Sequence, residues 1–259
     1  MGSLTVTAQH LLKRAIGMSG RRSTVQLPRE FARIQKPSQT ETPLSAMFSH
    51  GEAVMKVYLT LVLLTRKPPH DLFRTLPDHF WAEMLGYEEL DSADPVPGAG
   101  TKRIKRAMSL LQRSGPDEET HWIERTRVPG RGYKHSVTHL PPTEPPYITI
   151  PLELWSHGWI TIMSARGLFV YLVLRLILKG ANDDVGAHVS ATDRKDHAIK
   201  DDTWQRGLKE LETLGLARSE TGKTIEDRWS NELITRKIVY LNNNYLKTTM
   251  SPEDPISSG

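Results

Sequence analysis

In the stretch GTKRIKRAMSLLQRSG, residues 100–115, five cationic side chains occur with no anionic one: Lys102, Arg103, Lys105, Arg106 and Arg113. Solubility needs only a few charges, normally of both signs, so this density asks for another reason. Ammonium and guanidinium groups on one helix face can neutralise a row of phosphates, and a guanidinium can bond both acceptors of a guanine edge. Projected as a helix at about 100° per residue, Ile104, Ala107, Met108 and Leu111 form an apolar stripe. Lys102, Arg106, Ser109 and Arg113 fall opposite, with Lys105 beside them. Thr101 is placed to cap the start of this helix and Gly115 to end it.

The next segment, HWIERTRVPGRGYKHSVTHL, adds Arg125, Arg127, Arg131 and Lys134, with Glu124 the one acid in its β-prone arms. Pro129 followed by Gly130 suits a type II turn, so a β-hairpin is predicted with Arg131 at its tip. A second helical stretch, DDTWQRGLKELETLG (201–215), follows Lys200 and carries Thr203, Gln205, Arg206 and Lys209. It is mixed in sign, because Asp201, Asp202, Glu210 and Glu212 share it; an Asp is expected at its cap.

Catalytic constellations are missing. With no cysteine, thiolate nucleophiles, disulfides and cysteine-held metals are excluded. ETGKT (220–224) echoes a phosphate loop, but Ala217 stands where its earlier glycine is required, and no apolar helix follows. His135 and His139 could share a strand face, yet two histidines without a third ligand do not make a metal site. No His-hydrophobe-His pair of a nicking enzyme and no Arg/His/Tyr series of a recombinase is present. The chain is expected to be no enzyme and to need no cofactor or metal.

The elements that position these residues can be read from periodicity and breaks. GEAVMKVYLTLVLLTRK (51–67) is a largely apolar helix stopped by prolines, and PDHFWAEMLGY (77–87) a shorter one ended near Gly86. After the Pro-rich PPTEPP (141–146) the pattern restarts: a short strand YITIP, an apolar helix over SARGLFVYLVLRLILKG capped by Ser164, a short helix in SATDRKDHAIK, the helix from Asp201, and hairpin arms in LARSETGKT and ITRKIVYLNNNY. VYLTLVLL from Val57 resembles VYLVLRLI from Val170, and IKRAMSLLQRSG from Ile104 lies over WQRGLKELETLG from Trp204. Trp122, Trp204, Tyr58 and Tyr171 fall at core positions. Trp155 and Trp159 are expected to pack at the start of the second half, with an exposed dimer patch as the alternative.

Three helices closed by a hairpin, met twice, resemble the winged helix-turn-helix family. The resemblance covers most of the chain and rests on element order and on the helix-then-hairpin pattern. It implies that the third helix enters the DNA major groove, with Arg106 on a base edge and Lys102 and Arg113 on phosphate. It implies too that the hairpin touches the backbone or minor groove.

The expected fold class is therefore α+β, mainly helical: two tandem winged-helix domains with a basic N-terminal arm. The divisions are a flexible arm at 1–44, domains at 45–140 and 147–246, the linker 141–146 between them, and a disordered tail at 247–259. The arm holds Lys13, Arg14, Arg21, Arg22, Arg29, Arg33 and Lys36 against Glu30 and Glu41, with a short helix around Gln9 to Ile16.

In the second half, either Thr203, Gln205 and Arg206 meet DNA within a mixed field, or that helix serves a protein partner. Double-stranded DNA is the expected partner, covered by the tandem units of one chain or by a homodimer. The reading is a sequence-specific transcription regulator, with a plasmid-type replication initiator that grips repeated origin sites as its alternative and a protein-interaction module as a third. The pI of about 9.2 and formal charge of +4 agree with an acidic partner. The longest apolar run, GLFVYLVL, falls short of the roughly 20 residues of a membrane span. With no signal-like leader, a cytoplasmic, nucleoid-associated protein without a membrane role is expected.

Overall fold

The computed structural model describes residues 5–72, 76–87, 98–115, 119–129, 132–138, 146–225 and 233–248. The fold is α+β with helices predominating. It begins with α1 (Val6–Ser19), β1 (Thr24–Leu27) and a 3-10 turn, Arg29–Phe31. Next come α2 (Pro43–His50), α3 (Glu52–Leu64), β2 (Asp71–Leu72), α4 (Asp78–Met84), α5 (Ala99–Arg113), β3 (Ile123–Val128) and β4 (Gly132–Val137). The second half comprises β5 (Ile148–Pro151), α6 (Glu153–Ser156), α7 (Trp159–Ile162), α8 (Ala165–Ile177), α9 (Ala191–Asp196), α10 (Asp201–Thr213), β6 (Ala217–Ile225), β7 (Leu233–Leu241) and α11 (Asn243–Thr248).

Two helices form the centre. Every residue of α3 from Ala53 to Leu64 is buried, as is α8 from Gly167 to Leu176. A helix that is apolar on all sides must be covered on all sides. On α3 lie α1, α2 and α5, and on α8 lie α2, β5 and α10. As predicted, Ser164 caps α8, its hydroxyl accepting from the Gly167 N–H.

The halves share an order that goes beyond their sequence likeness. In the first, β3 and β4 form an antiparallel hairpin from Ile123↔Val137 to Val128↔Gly132. The short β2, between α3 and α4, adds to its β4 edge, giving the order β2-β4-β3. In the second, β6 and β7 pair from Ala217↔Leu241 to Ile225↔Leu233, and Ala187, between α8 and α9, bridges to Val239 of β7. In both, the returning hairpin strand receives an extended segment that follows the buried central helix, α3 or α8.

The N-terminal region corrects the expectation of a flexible arm. Leu11, Leu12 and Ala15 of α1 are buried, with Val25, Leu27, Phe31 and Ala32 after them. Phe31 stacks on Tyr58 at 5.7 Å and meets Trp122 edge-on at 6.5 Å. β1 pairs antiparallel with β5, from Thr24↔Pro151 to Leu27↔Ile148. Beyond it the Ile34 N–H donates to the Asp196 carbonyl at 2.8 Å, and Arg33 pairs with Asp196 at 3.0 Å. The segment therefore lies between the halves, and one hydrophobic cluster runs through all three parts. Its apolar residues are too sparse to build a core alone, but they complete one supplied by residues far along the chain.

Two caps also differ. α5 starts at Ala99 behind Gly98, at φ 83, a left-handed position that suits glycine, so Thr101 sits inside the first turn. α10 is preceded by Lys200 with no side-chain cap, which leaves Asp201 and Asp202 in its first turn. Helix α11 extends to Thr248, into the stretch expected to be a disordered tail; residues 249–259 and linker residues 141–145 lie outside the described residues.

Because the N-terminal segment is core, deleting residues 1–42 should unfold the protein, removing the partner strand of β5 as well as Phe31. Phe31→Ala alone should cost about 3–5 kcal/mol by urea denaturation. A truncated chain that melts at the wild-type temperature would overturn this placement.

Candidate nucleic-acid interface

Helix α5 is held by its apolar stripe: Ile104, Ala107, Met108 and Leu111 are buried. The opposite face carries Lys102, Lys105, Arg106 and Arg113, all exposed and all without an ion pair among the described residues. Thr101 is half-buried at the same end.

Arg103 is exposed but engaged, its guanidinium lying over the Tyr87 ring at 4.6 Å. The Tyr87 hydroxyl donates to Glu52 Oε1 at 3.0 Å, and the same oxygen accepts from Lys56 Nζ at 2.8 Å. Lys56 is completely buried and donates further to the Thr161 carbonyl of α7 at 2.7 Å. Burial draws the Lys56 ammonium down while Glu52 pulls the other way, and the net direction is downward. Burial would raise the Glu52 carboxyl, but Lys56 and Tyr87 hold it below the usual carboxylate range. Glu52, Lys56 and Tyr87 were missed as positioning groups. The available signal was the i,i+4 spacing of Glu52 and Lys56 in an otherwise apolar helix.

The hairpin divides its cations. Arg127 is exposed and without an ion pair among the described residues. Arg125 lies 3.7 Å from Asp78 of α4 and over the Tyr133 ring at 4.5 Å, so it ties the hairpin to the second helix of its unit. Lys134 pairs with Asp71 of β2 at 2.5 Å, an aspartate held below its usual range by Lys134 and Ser136. Arg131 and the 130–131 turn lie outside the described residues, as does His139. His135 is buried, and neither ring nitrogen has a partner among the described residues.

In α10 the outward cations are partly matched. Thr203 is 9% exposed, so the expectation that it reaches a ligand does not fit its place beside the buried Trp204. Gln205, Lys209 and Lys200 are exposed, whereas Arg206 pairs with Asp202 at 2.8 Å. Glu210 turns inward and accepts from the Ser164 N–H at 2.6 Å and from the Ser164 hydroxyl, capping α8. Glu212 accepts from the Ser219 hydroxyl and lies 3.7 Å from Lys237. Asp201 lies 2.7 Å from Arg194, so all four acids counted on this helix are engaged within the unit.

Among the described residues no group of His, Asp and Glu could hold a metal, and no helix is long and apolar enough to cross a membrane. No protein-family model matches the chain, and no curated protein or solved structure matches it either.

Burial, helped by the Arg125 guanidinium, brings the His135 imidazole down to about 4 from 6.5. The unfolded chain therefore takes up the proton first, and stability should fall as pH drops from 6.5 towards 4, levelling below. The full shift is worth about 3 kcal/mol. His197, also lowered by burial, titrates in the same direction. Comparing His135→Phe with wild type by urea midpoints at pH 7 and pH 4.5 isolates the first group: the variant should lose less stability on acidification. Equal losses would refute the assignment.

Proposed function

We propose that this chain binds double-stranded DNA sequence-specifically, with each half a winged helix-turn-helix unit and the first half the principal reader. One observation carries the reading: α5 exposes Lys102, Lys105, Arg106 and Arg113 with no internal counter-charge among the described residues. Cations left unmatched on a rigid helix are free to meet phosphates and base edges. Arg127 on the adjoining hairpin extends the same positive surface.

Arg106 is the assigned base reader, with Lys102, Lys105 and Arg113 holding the backbone. In the second half, Gln205, Lys209 and Lys200 are available, while Arg206 must first leave Asp202. An exposed pair of this kind is worth about 0–1 kcal/mol, so the second helix can contribute to binding without leading it.

The biological role that fits is a transcription regulator acting in the cytoplasm on the nucleoid. The repeat of helix order and hairpin bridging in both halves favours a second reading, a replication initiator that uses two units on iterated origin sites. Mapping bound DNA separates them, as a promoter-borne operator or as repeats at an origin.

On a site selected from random duplexes, Arg106→Ala in the full chain should lose about 1–3 kcal/mol of binding, with a smaller loss on random DNA. Arg206→Ala should lose less. Arg127→Ala should weaken binding across sequences and shrink the salt slope by about one unit. Equal titrations for wild type and Arg106→Ala, or a larger loss at Arg206, would sink the proposed division of labour.

A further inference from the structure

A recessed cavity of about 480 Å³, with no lining residue from α5 or the hairpin strands, lies between the start of β1, the end of β5, the segment after α8, and α11. Its floor includes Arg175, which is 6% exposed. Arg175 Nε donates to the Thr149 carbonyl at 2.7 Å and Nη1 donates to Asn243 Oδ1. The third nitrogen, Nη2, makes no hydrogen bond among the described residues, and it is not one of the buried atoms sealed without a partner. The neighbouring Gly180, at φ 70, carries no side chain to cover it; a Cβ there would lie 4.0 Å from Nη2. A buried guanidinium with one free corner on a cavity is an unfilled donor.

The rim supplies two more cations. Arg22 and Lys247 both line the cavity, are exposed, and have no ion pair among the described residues. Of the two acids at the cavity, Asp183 is already occupied: its carboxylate oxygens accept from the Asn243 and Asn244 N–H groups, each at 2.8 Å. Glu153 remains as the one uncommitted carboxylate.

The geometry points to a binding site for a small oxyanion ligand, a phosphate or carboxylate bearing a hydroxyl or amine. The oxyanion sits against Arg175 Nη2 between Arg22 and Lys247, and the donor group meets Glu153. The volume lies within the range of small-molecule sites, so more than a bare ion can be held. A duplex backbone fits poorly, because the anchoring nitrogen belongs to a side chain almost wholly below the surface. The site shares no lining residue with the proposed DNA-reading face and does not rest on that reading.

The test titrates the full-length protein with inorganic phosphate, glucose 6-phosphate and glucose, read by calorimetry and thermal shift. Both phosphates should bind saturably and raise the melting temperature, glucose 6-phosphate more strongly, and glucose should do nothing. The double variant Arg22→Gln, Lys247→Gln removes two exposed, unpaired side chains, so it should melt like wild type and bind glucose 6-phosphate at least tenfold more weakly. The single variants, each expected to weaken binding severalfold, serve if the double variant melts early. No saturable binding by either phosphate at millimolar concentration would overturn the proposal. So would unchanged affinity in the variants, or a loss of DNA binding in the variants with no response to the small phosphates.

Discussion

Taking an ammonium group out of water costs several kcal/mol unless nearby acceptors replace what water supplied. Lys56 is in that position at the middle of α3, and its acceptors come from different parts of the chain: Glu52 one turn earlier and the Thr161 carbonyl of α7. Either acceptor alone would leave a buried cation poorly served. Glu52 in turn holds the Tyr87 hydroxyl, and Tyr87 is the surface on which Arg103 of α5 lies. A continuous run of contacts therefore leads from α7, through the centre, to the basic helix. Its value lies in orientation, because apolar residues of similar volume would satisfy the same space without fixing where Tyr87 and α5 must sit.

The same scaffold is used twice with different close contacts. Ile104, Met108 and Leu111 face the core from α5, as Trp204, Leu208 and Leu211 do from α10. The larger Trp204 goes with Gly207 in place of Ala107. A Cβ at Gly207 would come within 2.6 Å of the Arg166 carbonyl and of a Val170 methyl, so α8 and α10 approach more closely than alanine permits. The glycine is therefore a packing requirement and no sign of a ligand-binding loop.

Much of this was legible in the sequence, and most of what was not depends on partners distant along the chain. Helices α3, α5, α8 and α10 and both hairpins announce themselves through local periodicity, and the exposure of Lys102, Lys105, Arg106 and Arg113 follows from the same projection. The N-terminal segment was misread because Leu12, Val25 and Phe31 become core only through partners such as Ile150, Tyr58 and Trp122, which local patterns cannot reveal. Arg125 and Lys134 looked as free as Arg127, since their partners Asp78 and Asp71 lie dozens of residues upstream. Thr101 matched a cap by residue type, but Gly98 took the role by adopting a left-handed backbone.

Counting charges along a helix also misjudges the field it presents. On α10 the sequence shows two cations against four acids, which suggests a face that repels phosphate. Glu210 is turned onto the start of α8 and Glu212 onto Ser219, and both placements put carboxylates where hydrogen-bond donors need acceptors. The outward field then depends on Asp201 and Asp202, each next to an arginine: Arg194 at 2.7 Å and Arg206 at 2.8 Å. That face is closer to balanced than acidic. The contrast between the two helices therefore rests less on repulsion in the second than on Lys102, Lys105, Arg106 and Arg113 of the first, which have no ion pair among the described residues. On the proposed reading, an incoming polyanion gains most where cations have no internal partner to leave, which favours α5 over α10.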